Sequence, residues 1–211
     1  LHVTMNGGNE WENVVNSIPD LPSYTPVSHV EPSLTSAGMA YATFDRHMLD
    51  DFSPYVYRTS DFGRTWVDIT GNLPDNAYVW VVREDPVRPQ IIYAGTELGL
   101  FVSFSRGTYW VKFHMKNLPT VAVHDILLHP RDKDLILGTH GRGIWIFDDV
   151  SFIRGIYKEL LEKEAHLFRI RTAIRYAEKA TRYGIGDREY TGENPPYGAC
   201  LLYTSDAADE L

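Results

Sequence analysis

The chain has 211 residues, of which 44% are hydrophobic and 23% are charged, and this composition is typical of a globular protein and excludes a disordered one. No apolar run approaches the roughly 18 residues that span a membrane, and the net charge of −8 disfavours nucleic acid as a partner, because phosphate binding needs a clustered basic face. The single cysteine, Cys200, excludes an internal disulfide. No residue pattern predicts a bound metal or a cofactor.

Three copies of a short motif end in tryptophan. In each copy a serine or threonine stands seven residues before the tryptophan and a glycine stands three residues before it. The middle copy runs over Thr59, Asp61, Gly63, Thr65 and Trp66, the first contains Asn6, Gly8 and Trp11, and the third contains Ser103, Gly107 and Trp110. The tryptophans are 55 and then 44 residues apart. Such a period predicts four short strands per repeat, which is the unit of a β-propeller blade.

Strand-like segments recur in the same order around each motif. Inner strands are predicted near 25–32, 77–84 and 121–129, second strands near 38–43, 90–96 and 134–139, and third strands near 55–60, 99–104 and 143–148. The first repeat is longer because of an insertion near 44–54. The predicted fold is therefore all-β, a partial β-propeller of four-stranded antiparallel blades, with about three to four blades in 1–150 and a short helical linker after them.

The candidate site follows from strand direction. Up-and-down strands alternate, so the turns between second and third strands share one face with the connections between blades. We call this the loop face. Its predicted ligand-binding residues are Arg46, His47, His140 and Arg142, and its candidate catalytic carboxylates are Asp45 and Glu97. The alternative is that these side chains form salt bridges between blades and hydrogen bonds within turns.

The middle motif resembles the Asp box, S/T-x-D-x-G-x-T-W, of the BNR repeat found in sialidases, sortilin-type receptors and related β-propellers. In such a turn the aspartate accepts backbone N–H bonds, the glycine supplies a positive φ and the tryptophan packs between blades. We therefore predict a structural role for all three motifs and not a catalytic one.

Three further segments, THGRGIWIFDD at 139–149, GTELGLFVS at 95–103 and NPPYGA at 194–199, resemble a large bacterial family of BNR-repeat proteins that are often labelled glycosyl hydrolases or sortilin-like. The resemblance implies further N-terminal blades and a C-terminal β domain that begins at 191–199, both absent from this chain. It also implies a secreted or periplasmic location.

The segment after the blades has a different pattern. Apolar residues at Phe152, Ile156, Leu160 and Leu161 recur at helical spacing, which predicts a helical or irregular linker over 151–190. The last residues, 200–211, translate a transposase adapter used in preparing sequencing libraries. We therefore expect that this segment is not native and that the natural chain continues past Ala199.

Two classes of function fit this reading. The first is a non-catalytic scaffold that binds a glycan or a polypeptide through its loop face. The alternative is a glycoside hydrolase, either xyloglucanase-like or sialidase-like, which needs two carboxylates roughly 5–9.5 Å apart or a tyrosine nucleophile with a glutamate partner. Because the sequence assigns no catalytic pair, it favours the binding role.

Overall fold

The computed structural model describes residues 1–115, 117–157, 160, 163–173 and 198–205. The chain forms two compact units, Leu1–Val150 and Ser151–Leu211. Within the described ranges the helices are short 3₁₀ turns at Val15–Ser17, His47–Leu49 and Val150–Gly155. None of these helices is long and apolar enough to cross a membrane.

The first unit is built from antiparallel sheets in chain order. An N-terminal pair consists of β1 (His2–Val3) and β2 (Glu12–Asn13). The first full blade contains β3 (Val27–Pro32), β4 (Ala40–Arg46), β5 (Asp51–Thr59) and β6 (Val67–Asp68). The second blade contains β7 (Val79–Glu84), β8 (Ile92–Thr96), β9 (Gly99–Ser103) and β10 (Val111–Lys112). The third sheet contains β11 (Val123–Leu128), β12 (Leu135–Thr139) and β13 (Ile144–Phe147).

In Leu1–Val150 each sheet keeps its strands in sequence order, so neighbouring strands are consecutive in the chain. Sequential four-stranded antiparallel sheets with almost no helix confirm the prediction of an all-β partial propeller. The strands of β8 and β9 are buried along their whole length, because the sheets on both sides cover them. Their nearly continuous apolar sequences, from Ile91 to Ala94 and from Leu100 to Val102, reflect this burial on two faces.

The predicted insertion near 44–54 is mostly strand and not an irregular loop. Strand β4 continues to Arg46, β5 begins at Asp51, and these two residues pair across the hairpin. A single 3₁₀ turn, His47–Leu49, and Asp50 with a φ of 58° close the end. The added residues therefore lengthen the hairpin and extend it from the loop face.

The three inner strands share one register. The first cross-strand pairs are Val27–Phe44, Val79–Thr96 and Val123–Thr139. In each case the next residue of the inner strand is left out of the ladder as a bulge, and these bulged residues are Ser28, Trp80 and His124. A bulge turns a side chain out of the regular alternation, so all three blades present one such residue at the same height.

One arginine ties three inner strands together. The Arg83 guanidinium on β7 donates to Glu31 on β3 at 2.6 Å and to Asp125 on β11 at 3.1 Å. Its Nε donates to the carbonyl of Ile126 at 2.8 Å. The planar, multidentate guanidinium suits this role, because it can satisfy several acceptors from different strands at once.

The second unit has few described elements. Strand β14 (Ala165–Leu167) pairs with β15 (Tyr203–Ser205), and Phe168 packs edge-on against Phe152. Much of the predicted linker, and most of 191–199, lie outside the described residues. Strand β15 lies within 200–211, whose adapter origin stays a prediction.

Blade spacing generates the first testable prediction. A Cβ added to Gly95 on β8 would lie 2.5 Å from the carbonyl oxygen of Val123 and 2.6 Å from Val81 Cγ1. At the equivalent Gly138 on β12 the nearest atom to an added Cβ would be Asp125 Cβ, at 3.5 Å. We expect Gly95→Ala to lower the free energy of unfolding by about 2 kcal/mol, because the neighbouring backbone must move. Gly138→Ala is the matched control and should change it by less than about 1 kcal/mol. Urea unfolding measures both, and equal losses would contradict the close approach of these blades.

A second prediction concerns pH. Burial, with the nearby charge of Arg83, lowers the pKa of His29 on β3 from 6.5 to about 4, and its Nδ1 has no hydrogen-bond partner among the described residues. The folded state therefore favours the neutral ring, and this contribution to stability is complete above pH 6.5 and is lost as the pH falls towards 4.

Urea unfolding of the wild type should show a lower free energy of unfolding at pH 5 than at pH 7.5. In His29→Gln this decrease should be smaller by about 1 kcal/mol, which is less than the full pKa shift implies because the ring is only half buried. The exposed residue His2 provides the control, since His2→Gln should keep the wild-type loss. An unchanged pH dependence in His29→Gln would contradict the assignment.

Candidate functional site

The three tryptophan motifs form turns with shared hydrogen bonds. The first bond runs from the glycine N–H to the initial hydroxyl oxygen, at 2.9 Å in each of the pairs Gly8–Thr4, Gly63–Thr59 and Gly107–Ser103. The second runs from a backbone N–H to the side-chain oxygen four residues earlier, in the pairs Glu10–Asn6, Thr65–Asp61 and Tyr109–Ser105, at 2.9, 2.9 and 3.0 Å. Hydrogen bonds from Thr65 also lower the pKa of the Asp61 carboxyl.

Two of the motif glycines, Gly63 and Gly107, also pack against the segment that precedes their blade. Gly63 has a φ of 83°, and a Cβ there would lie 3.0 Å from Val14 Cγ2. Gly107 has a φ of 91°, and a Cβ there would lie 2.7 Å from Ile69 Cδ1. The polar groups of these turns bond within the turn itself, so they offer little for a ligand.

The loop face instead places one polar residue per blade at an equivalent position. Asp45, Glu97 and His140 each follow the last second-strand residue that pairs with the inner strand. Their N–H groups donate to the carbonyls of Pro26, Tyr78 and Ala122 at 3.1, 3.1 and 3.0 Å. Because the register is the same in all three blades, these residues lie at the same face.

A continuous set of rings joins these positions. We call it the ring row: His47, Tyr78, Trp80, His124 and His140. Adjacent ring centroids are 4.9 Å apart from His47 to Tyr78, 5.4 Å from Tyr78 to Trp80, 4.0 Å from Trp80 to His124 and 4.9 Å from His124 to His140. The ring row therefore crosses all three blades.

At one end of the ring row Asp45 orients His47. The Asp45 carboxylate accepts the backbone N–H of His47 at 2.9 Å and forms a hydrogen bond with its Nδ1. The oriented imidazole stacks on Tyr78 with an angle of 16° between the ring planes. Acid–base chemistry is available at the other imidazole nitrogen, since Nδ1 is engaged.

In the middle of the ring row Glu97 is held by a single oxygen. Its Oε2 accepts the Tyr78 hydroxyl at 2.9 Å and the Trp80 Nε1–H at 3.2 Å. Its Oε1 has no hydrogen-bond partner in the described part of the chain. Burial, followed by the bond to Glu97, raises the pKa of Tyr78 to about 12. Burial also lowers the pKa of His124, with His140 adding to the effect.

The two predicted arginines lie apart from the ring row. Arg46 binds Asp51 at 2.8 Å, Thr25 Oγ1 at 3.0 Å and the Ser23 carbonyl at 3.2 Å, so it braces the long hairpin. Arg142 is exposed, and its carbonyl accepts the Trp145 indole N–H at 3.0 Å. The structure thus brings together Asp45, His47, Glu97 and His140, but neither arginine.

Three members of the ring row, Tyr78, Trp80 and His124, were not predicted from the sequence. They lie at the start of the inner strands, whereas the predicted site residues lie in the turns between second and third strands. The available signal was the alignment of Trp80 with His124 one residue after equivalent valines, Val79 and Val123. What the alignment could not reveal is that both residues are bulged out of the ladder.

Beside the ring row the long hairpin exposes an apolar tip, which we define as Met48, Leu49 and Phe52. These side chains are 83%, 55% and 48% exposed. Phe52 lies 6.1 Å from Tyr78 between ring centroids, so the tip adjoins the ring row. Exposed apolar groups that lie together at a candidate site are typical of a surface that contacts another molecule.

The described cavities lie elsewhere. One of about 100 Å³ is lined by residues that include Leu98, Lys112 and Thr120, and another is lined by residues that include Met5 and Trp11. Over the described ranges no group of three or more His, Cys, Asp or Glu side chains is placed to hold a metal ion. The site formed by the ring row is thus an open surface.

No protein-family model matches the chain, and no curated protein matches it. Among solved structures, an ancestral GH74 enzyme is 21% identical over 56% of this chain and 14% of that chain, with a TM-score of 0.44. The GH74 xyloglucanase from Xanthomonas campestris is 16% identical over 58% and 22%, with a TM-score of 0.45. YCF48 bound to D1 peptide is 17% identical over 68% and 42%, with a TM-score of 0.43. The chain thus spans less than half of each of these proteins.

A third prediction tests how Glu97 is held. Tyr78→Phe removes the hydroxyl donor from Glu97 Oε2 while keeping the buried ring, and we expect it to lower the free energy of unfolding by about 1–2 kcal/mol, as for a hydrogen bond to a charged group. The exposed Tyr109 is the matched control, and Tyr109→Phe should change it by less than about 0.5 kcal/mol. Urea unfolding at pH 7.5 measures both, and equal small changes would show that the Tyr78–Glu97 bond contributes nothing.

Proposed function

We propose that this chain is the ligand-binding part of a β-propeller protein and that its loop face binds a polypeptide. The observation that carries this proposal is the ring row, to which three consecutive blades contribute rings, next to the equivalent residues Asp45, Glu97 and His140. Packing within a single blade does not require its rings to contact the rings of the neighbouring blades. A surface that collects rings and carboxylates from several blades is suited to a ligand that spans them.

Two features favour a ligand surface over internal packing alone. Glu97 keeps one oxygen without a partner, and no cation pairs with it in the described part of the chain. The apolar tip exposes two long aliphatic side chains and a phenyl ring to solvent. The exposed apolar side chains are costly on a surface that never meets a partner, and the open oxygen of Glu97 can accept a hydrogen bond from a bound molecule.

The choice of a polypeptide over a glycan rests on the ring faces. Sugars stack on open aromatic faces, but His47 covers Tyr78 and His124 lies 4.0 Å from Trp80. The exposed apolar side chains beside the ring row include Met48, and methionine adapts its shape to varied protein partners. The loop face therefore fits an extended peptide segment better than a sugar ring.

The hydrogen bonds of the three motif turns support assignment to the BNR-repeat propellers. In the same proposal further blades precede this chain, a C-terminal β domain follows it, and the full protein is secreted or periplasmic. These parts depend on the resemblance of the motifs and not on the loop face.

A glycoside hydrolase is the second candidate. The Tyr78–Glu97 hydrogen bond is the tyrosine–glutamate pairing that a sialidase-like nucleophile needs, and Asp45 and Glu97 are the carboxylates that a xyloglucanase-like site would use. Against it, Tyr78 is only 8% exposed and its pKa is raised to about 12, which opposes formation of a nucleophilic phenolate. No arginine cluster joins the ring row among the described residues.

Selection of peptide ligands by phage panning tests the proposal. A phage library of random peptides is selected on the immobilised full chain, and the enriched peptides are synthesised and titrated by calorimetry. We expect Met48→Ala and Phe52→Ala each to weaken the Kd of these peptides about tenfold, since each removes roughly one buried apolar side chain.

Val67→Ala and Tyr109→Ala are the matched controls, because both side chains are exposed and lie at or beside the motif turns. They should leave the Kd unchanged. The same preparations are assayed on xyloglucan and on aryl glycosides. Turnover that Glu97→Ala abolishes, or peptide binding that only the control variants weaken, would contradict the proposal.

A further inference from the structure

One carboxylate oxygen of the loop face keeps its hydrogen-bonding capacity. A carboxylate oxygen can accept about two hydrogen bonds, and Glu97 Oε2 already accepts two, from Tyr78 and Trp80. Glu97 Oε1 therefore retains its full accepting capacity. Because the Tyr78 and Trp80 donors come from neighbouring buried and half-buried rings, the carboxylate is fixed in direction before any ligand arrives.

No side chain in the described part of the chain forms an ion pair with Glu97. Of the two arginines on the loop face, Arg46 is committed to Asp51 and Thr25, and the exposed Arg142 pairs with no carboxylate among the described residues. Burial lowers the pKa of His124, which disfavours a charged imidazole beside Trp80. Asp45, at the next blade, adds a second carboxylate whose partner is His47.

We propose that the loop face recognises a primary ammonium group of its polypeptide ligand, either a lysine side chain or a free N terminus, with Glu97 as its counter-ion. This inference rests on the proposed function and names the chemistry that the polypeptide must carry. It requires Glu97 Oε1 to accept an N–H of the ammonium while Tyr78 and Trp80 hold Oε2 in place.

An ammonium fits this site better than a guanidinium. Arginine binds carboxylates in a fork that uses both oxygens, but Oε2 of Glu97 is already occupied by two donors. An ammonium is a compact charge that needs one oxygen at a time, and its adjoining methylenes can lie along apolar surface.

The test uses two bead libraries of random hexapeptides and the fluorescently labelled full chain. One library has acetylated N termini, so that lysine is its only source of primary ammonium, and the other has free N termini but no lysine. We expect retained acetylated peptides to be enriched in lysine over arginine about tenfold or more, because a hydrogen-bonded charge pair contributes that much. Enrichment restricted to the second library would assign the ammonium to the peptide N terminus.

Variants at Glu97 separate charge from shape. Glu97→Gln should lose about tenfold in affinity for the enriched peptides, and Glu97→Asp should retain part of it because the charge remains. The exposed Glu12 on β2 gives the matched control, and Glu12→Gln should bind like the wild type. Urea unfolding of each variant shows whether the fold is intact, and Glu97→Asp carries the test if Glu97→Gln does not fold.

The outcomes distinguish the two proposals. If peptides are retained with no preference for lysine or a free N terminus, or with a preference for arginine, the ammonium site is wrong while polypeptide binding stands. Equal affinity of Glu97→Gln and the wild type for the enriched peptides would likewise contradict the ammonium site and leave polypeptide binding in place. If neither library is retained, both proposals fail.

Discussion

The common register of the three inner strands is the constraint on which the loop face depends. In each blade the ladder begins with a valine and then omits one residue, so Ser28, Trp80 and His124 are displaced in the same way. The N–H groups of Asp45, Glu97 and His140 then donate to the carbonyls just before the inner strands. A shift of one residue in any blade would reverse its side chains and interrupt the ring row.

Contacts between blades hold that register in place. Gly95 allows the second blade to approach the backbone of Val123, and Arg83 links Glu31 to Asp125 across the inner strands. On the opposite side the motif glycines lie against residues of the preceding blade. These contacts between blades involve strands and motif turns and not the hairpin ends. The hairpin ends can therefore vary in length and sequence, as the apolar tip does.

The repeat made the architecture predictable, because the tryptophan motif recurs three times with strand-like segments in the same order around it. The face that holds Asp45, Glu97 and His140 followed from strand direction alone. What could not be predicted was local: the hairpin that replaces an expected loop, the pairing of Arg46 with Asp51, and the bulges that bring Trp80 and His124 to the surface. These depend on local side-chain contacts and on strand pairing, which periodicity does not encode.

Tryptophan side chains lie both at the ring row and at the motif turns, so they can report whether a ligand binds at the ring row and not at the motif turns. The chain has five tryptophans, and their indole N–H groups give separate nuclear magnetic resonance signals. During titration with a peptide enriched by panning, the account predicts that the Trp80 signal shifts while those of Trp66 and Trp110 stay in place. Shifts confined to Trp66, Trp110 or Trp11, with Trp80 unchanged, would contradict it.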